Sequence, residues 1–218
     1  MAAISGKVAR IRITSASATN STNEASDLST DGVTLSINDT GKRHWDRTST
    51  APAVFISGDT GTDVSSEIES INYVQGTITF TTPHSTSTTI TMDVDFLTGS
   101  FLVGGRGFDV NVDNNVQEIT SFSTSATDVV WRTYLAGLNS ATISIDQLYQ
   151  SDSTAQVFWD ALNAPSSNLI VELVPDGALD RYEAFCHVAG FSPSVPIDGV
   201  VDQGVDLQVD GVLYYTTN

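Results

Sequence analysis

Apolar and polar residues alternate with a period of two over much of the chain, the pattern of strands that bury one face. The clearest run is Thr89–Phe96, where Ile90, Met92, Val94 and Phe96 share one side and Thr91, Asp93 and Asp95 the other. Phe108–Asp113 divides the same way, with Phe108, Val110 and Val112 opposite Asp109, Asn111 and Asp113. Near the end, Val205, Leu207 and Val209 oppose Asp206, Gln208 and Asp210. Further strands are predicted at Lys7–Ile13, Val33–Ile37, Val54–Ile56, Ala141–Ile145, Leu169–Val174 and Tyr182–Val188. A hairpin is predicted from Ile71–Gln75 through Gly76 into Thr77–Thr81, where Ile78 and Phe80 share a face.

Helical spacing interrupts this pattern twice. Thr127–Leu135 is short and is followed by Gly137. Ser153–Asn163 follows the cap cluster Ser151, Asp152 and Ser153 and stops before Pro165. It lays Ala155, Phe158 and Leu162 on one side, with Val157 and Ala161 adjacent. Helices this short are marginal alone and must pack on the sheet. Thr14–Asp31, rich in Ser, Thr and Asn, is predicted to be a long mobile loop. No repeat or linker divides the chain, so residues 1–218 read as one domain. The fold class is mainly β, an antiparallel sandwich or barrel with one or two short flanking helices.

Charge sharpens this picture. Twenty-six acids face nine Lys or Arg, a formal −17, which disfavours phosphate-neutralising contact with nucleic acid or anionic lipid. The balance is uneven. Residues 1–47 hold six bases (Lys7, Arg10, Arg12, Lys42, Arg43, Arg47) and five acids, a net +1, and the remainder carries −18. Two readings stand: compositional drift, or an N-terminal region that meets the acidic surface of another copy.

Reactive chemistry is hard to find. Cys186 is the only cysteine, which excludes a disulfide framework, and its strand setting points to a small buried thiol. His44, His84 and His187 lie in unrelated segments without metal-ligand spacing and read as turn or surface residues. Asp109–Asn114 starts like a calcium loop but has Asn114 and Thr120 where Gly and Glu are needed. Gly104–Gly107 matches neither nucleotide-binding glycine pattern. Carboxylates are abundant, yet none is marked out beside an aromatic sugar platform, for Trp45, Trp131 and Trp159 are scattered. No catalytic residue, metal site or cofactor is therefore assigned. The start of the chain lacks an apolar core of signal-peptide length, and no segment approaches a membrane span. Folding in a cytoplasm is the expectation.

Several stretches in order resemble the major tail tube proteins of long-tailed bacteriophages. They are Lys42-Arg43-His44-Trp45-Asp46, the hairpin Ile71–Phe80, the segments Asp93–Leu102 and Phe108–Phe122, and Trp131–Leu138 followed by Ala141–Tyr149. Asp180–Phe185, Phe191–Gly199 and the closing Val205–Gly211 complete the set. The chain departs from the family in its long 14–31 segment and in Arg47, which stands where Pro is expected. The resemblance implies a virion tail protein, assembled in a host bacterial cytoplasm, whose sixfold rings stack into the tube that conducts double-stranded DNA. It implies as partners further copies of itself, a tape measure protein, a tail terminator and distal tail proteins, with 14–31 as an inter-ring arm. The lumen-facing set would be drawn from Asp93, Asp95, Asp109, Asn111, Asp113, Asp206, Gln208 and Asp210, the alternative being that they face outer solvent. The inter-copy contacts would be drawn from Lys7, Arg10, Arg12, Lys42, Arg43 and Arg47. Competing classes are a carbohydrate-binding or adhesin β-sandwich and a head–tail connector or baseplate component.

Overall fold

The computed structural model describes residues 9–56, 61–118, 134–148, 153–163, 169–175, 180–196, 198 and 201–217. In chain order its strands are β1 (Arg10–Leu28), β2 (Thr34–Ile37), β3 (Ala53–Ile56), β4 (Thr62–Asp63), β5 (Ile68–Asn72), β6 (Thr77–Phe80), β7 (Ile90–Phe101) and β8 (Gly105–Glu118). Then come β9 (Tyr134–Leu148), helix α1 (Ser153–Asn163), β10 (Leu169–Val174), β11 (Arg181–Ser194), β12 (Asp202–Val209) and β13 (Tyr214–Thr216). The main path of the sheet runs β4-β3-β7-β1-β10-β11-β12-β9-β8, and every pairing among the described residues is antiparallel. The expected mainly-β, antiparallel architecture with a flanking helix is what forms.

The sheet bends back on itself. β7 and β8 lie far apart in the strand order, yet a turn at 102–104 joins them, with Gly104 at φ 80°. Leu102 N–H donates to the Ile11 carbonyl (2.8 Å), holding the turn against β1, and Leu148 N–H donates to the Gly104 carbonyl (2.9 Å), holding it against β9. The starts of β1 and β8 therefore lie close, with Gly105 beside the Ile11 side chain. The enclosed face carries Ile13, Val171, Ala184, Leu207, Ile143 and their neighbours. α1 seals this core with Phe158 and Ala161, and Trp159 rests edge-on against Phe191 at 5.7 Å. Burying a side chain the size of Phe158 contributes about 1.5–3 kcal/mol, enough to hold a short helix that is unstable alone. The buried stripe lies around Val157, Phe158 and Ala161, and Leu162 is 37% exposed, so the helix is rotated from the sequence expectation.

A second core forms where the β5–β6 hairpin, β2, β3 and β7 meet, around Trp45, Ile78, Phe80 and Met92. A small third cluster of Val74, Leu97, Ile170 and Phe185 lies between them. All six residues of β10 are buried, which explains why Leu169–Val174 reads as an apolar run rather than an alternation.

Two expectations are corrected. The predicted loop at Thr14–Asp31 is largely strand: β1 continues to Leu28, pairing with β10, β7 and β2 in turn. Its polar side chains hid this because they bond across strands instead of packing. Thr14 Oγ1 accepts from Ile170 N–H (2.9 Å), Asn20 Nδ2 donates to Asp95 (2.8 Å), and Ser26 Oγ donates to the Ile90 carbonyl (2.8 Å). Irregularities after Thr14 and Ser21, with Asn23 at φ 58°, broke the alternation further. The predicted helix Thr127–Leu135 lies outside the described residues except Tyr134 and Leu135. Those two open β9, and the expected Gly137-Leu138 turn is instead an irregularity within that strand, between the pairs Asn114–Asn139 and Val116–Ala136.

Candidate functional site

Two constellations stand out: an exposed polar face and a buried ion cluster. The face spans β8, β9 and β12. Register places Asp109 opposite Ser144 and Ser144 opposite Asp206, and places Asn111, Thr142 and Gln208 in the next such row. Directly opposed residues share a face, so Asp109, Asn111, Asp113, Asp206 and Gln208 form one exposed field with Ser140, Thr142, Ser144 and Asp146. Ser144 Oγ donates to Asp206 (2.8 Å) and Gln208 Nε2 to the Ala141 carbonyl (2.9 Å). The opposite face of the same strands is the helix-sealed core. The contribution of β9 was available in the alternation of Thr142, Ser144 and Asp146 with Ile143 and Ile145, and sequence reasoning did not use it.

The other acidic positions lie elsewhere. Asp210 sits at the margin of the field, held 2.6 Å from Arg47 Nη2 and 3.3 Å from His187 Nε2. The Arg47 contact, with His187 nearby, lowers its carboxyl below the usual range. Asp93 and Asp95 belong to β7, on the far side of β1, and the structure does not bring them to the field. Asp93 accepts from Asn23 N–H (2.7 Å), and Asp95 is bonded by Ser49 and Asn20, which lower its pKa.

Most of the basic residues are engaged within their own chain. Lys42 pairs with Glu24 and Arg47 with Asp210. Arg12 lies 3.5 Å from Glu172, and Arg43 is buried. Arg10 is exposed, and Lys7 lies outside the described residues.

The buried cluster is what sequence reasoning missed. Glu172 of β10 and Glu183 of β11 are direct cross-strand partners, and Arg12 of β1 is the partner of Glu172 on its other side. Like charges directly opposite repel, and burial makes that repulsion severe. Arg43 resolves it: its Nη2 lies 2.5 Å from Glu183 Oε1 and 3.0 Å from Glu172 Oε1. Arg181 Nε supports Glu183 Oε2 at 3.2 Å. His44, which the sequence placed in a turn or on the surface, is buried beside them. Its Nε2 is 3.1 Å from Arg43 Nε–H and 3.3 Å from Glu183 Oε1. Accepting from Arg43 requires an unprotonated Nε2. Burial pushes the His44 pKa below its ordinary value, with the Arg43 charge acting in the same direction. Burial alone would raise the Glu183 pKa, but His44, Arg43 and Arg181 outweigh it and leave the carboxyl below the usual range.

Backbone bonds fix the segment that delivers Arg43 and His44. Leu97 N–H donates to the His44 carbonyl (2.7 Å), Trp45 N–H to the Tyr73 carbonyl (2.8 Å) and Trp45 Nε1 to the Lys42 carbonyl (2.8 Å). The sequence signal was two lone acids inside apolar strands, Glu172 in LIVELV and Glu183 in RYEAFC.

His44, Glu172 and Glu183 bring three ligand-type atoms within 4.8 Å of one another. The arrangement does not fit a metal centre, since Arg43 bonds both carboxylates and the imidazole and takes the cation's place. The thiol of Cys186 is buried and pushed up to about 12 by desolvation, far from a nucleophile's range.

No protein-family model and no curated protein matches the chain. Among solved structures, a chain of "Virion of native gene transfer agent (GTA) particle" is similar at 14% identity and a TM-score of 0.46, over 55% of this chain and 89% of that one. A chain of "Tail of empty GTA particle computed with helical refinement, C6 symmetry" is similar at 17% identity and a TM-score of 0.44, over 55% and 87%.

Proposed function

We propose that this chain is a non-enzymatic structural protein of a phage-type tail, assembling as stacked hexameric rings around a DNA-conducting channel. The observation that carries the reading is the continuous field of Asp109, Asn111, Asp113, Asp206 and Gln208 on strands whose other face is sealed core. Duplex DNA carries about one charge per 1.7 Å, and a basic wall would neutralise phosphates and hold it. An acidic and amide-lined wall repels it and leaves it free to slide. The field thus suits passage without grip, and the arginines at its edge, Arg47 and Arg106, are each paired with a carboxylate, Asp210 and Asp202.

The sheet edge supports assembly. β8 is 14 residues long and pairs only with β9 among the described residues, so its other side has no strand partner among them. Natural monomers blunt edges of this kind, and a second copy that pairs with it would extend the sheet. The ordered sequence resemblance points the same way and supplies the expected partners, a tape measure protein, a tail terminator and distal tail proteins.

Negative-stain microscopy of the purified protein tests the reading. Rings or tubes of uniform width with a central channel are expected. A stable monomer or trimer that retains a glycan on an array would replace it with the carbohydrate-binding class, and single rings that never stack would replace it with a connector or baseplate component.

A further inference from the structure

Every described Lys or Arg but one has a carboxylate of its own chain within ion-pair distance. The exception is Arg10. Its guanidinium lies over the ring of Phe101, 5.5 Å from the centroid, and that ring is 52% exposed. Both belong to a cleft of about 440 Å³ at the seam where the starts of β1 and β8 approach, lined also by Arg106, Phe108, Gly105 and Gly107. Arg106 comes from β8, and outside the cleft its Nη1 holds Asp202 at 2.7 Å. Both members of that pair are more than half exposed, so the bond contributes little and exchanges readily for another carboxylate.

We propose that this cleft receives a carboxylate side chain from a second copy of the chain. Two arginines line it, Arg10 with its guanidinium on the aromatic wall of Phe101, which would shield an ion pair from water, on a molecule with 26 acids and nine bases. The commonest charged group that this cleft meets when copies approach is an Asp or Glu of its own kind. Steering by that complementarity also offsets the repulsion between bodies that are strongly acidic elsewhere.

The inference rests on the self-assembly reading, and the two fail separately. Arg10→Glu, Arg106→Glu and the double variant are compared with the wild type by sedimentation velocity and microscopy, with Arg10→Lys as the charge-conserving control. Both positions are exposed, so melting temperatures should match the wild type. The double variant is expected to need at least tenfold more protein to assemble, and Arg10→Lys to stay near wild type. Wild-type tubes matched by double-variant tubes at the same concentration would overturn the cleft and leave the tube reading standing. Wild-type oligomers that are not tubes but depend on Arg10 would do the reverse, and a wild type that is monomeric at every concentration sinks both.

Discussion

Arg43 and Glu183, 140 residues apart in sequence, meet inside the protein with Nη2 2.5 Å from Oε1. The bond ties the segment before Trp45, anchored in the second core, to strands whose other face is the first core. Its removal therefore affects how the two cores meet.

Arg43→Met leaves two opposed, buried carboxylates without their shared cation. Breaking a buried pair from one side costs about 3–5 kcal/mol, which for a chain of this length lowers the melting temperature by roughly 10 °C. Adding Glu172→Gln should recover part of the loss, because one repelling charge is gone. Urea titrations followed by tryptophan fluorescence measure both, with Trp45 buried close by. An Arg43→Met protein within 1 kcal/mol of wild type would show that the cluster holds nothing together.

Acid should loosen the same cluster. His44 has a folded pKa below its ordinary 6.5, so the unfolded chain takes up its proton first as pH falls. Its contribution is complete above about 6.5 and declines below it, down to the lowered folded value. Glu183, lowered from 4.5, contributes fully above 4.5 and loses that contribution as pH falls through its own lowered value. The groups facing His44 are Arg43, Glu172 and Glu183. His44→Gln removes the first of the two steps, so its stability should change less than the wild type's between pH 7 and 5. Denaturant midpoints at pH 7, 6 and 5 measure this, and parallel lines for the two proteins would rule His44 out.

The division of legible from illegible follows burial geometry. Asp206 and Gln208 alternate strictly with Val205 and Leu207 because β12 has one wet face and one dry face, and the pattern is read directly. β1 was unreadable between Ala18 and Ser26, where side chains bond to neighbours across the sheet rather than enter a core. The ion cluster was unreadable for another reason. Arg12, Arg43, Glu172 and Glu183 come from four separate segments, and only the strand register brings them together. Asp93 and Asp109 show the same sequence pattern on different parts of the sheet, because alternation reports that a face is wet and not which face it is.

Gly76 is the tightest point of the β5–β6 turn. Its φ is 65°, and a Cβ there would lie 2.6 Å from the Arg43 carbonyl oxygen. Gly76→Ala therefore combines left-handed strain with a backbone clash beside the cluster, and should cost about 1–3 kcal/mol or more. Gly107→Ala is the contrast, since nothing lies within 4 Å of the added methyl. It should fall within about 0.5 kcal/mol of wild type. Thermal melts of the two variants side by side test the assignment, and equal effects would count against it.

Gln147 and Gln203 face one another across β9 and β12, with 1% and 2% exposure, and none of their four amide atoms has a hydrogen-bond partner. Alternation places them in line with Ile145 and Val205, on the apolar side of the sheet. A buried polar group left unpaired costs about 1–3 kcal/mol relative to a satisfied one, whereas an apolar group of the same shape carries no such penalty. Methionine matches glutamine in length and is flexible enough to fill the same space. Gln147→Met and Gln203→Met should each raise stability by about 1 kcal/mol, with a non-additive double variant because the side chains are neighbours. Denaturant unfolding of the single and double variants gives the cycle. A loss of more than 1 kcal/mol in either single variant would mean that the amides hold an ordered water or another polar group, in which case the pair is a satisfied network rather than a strained one.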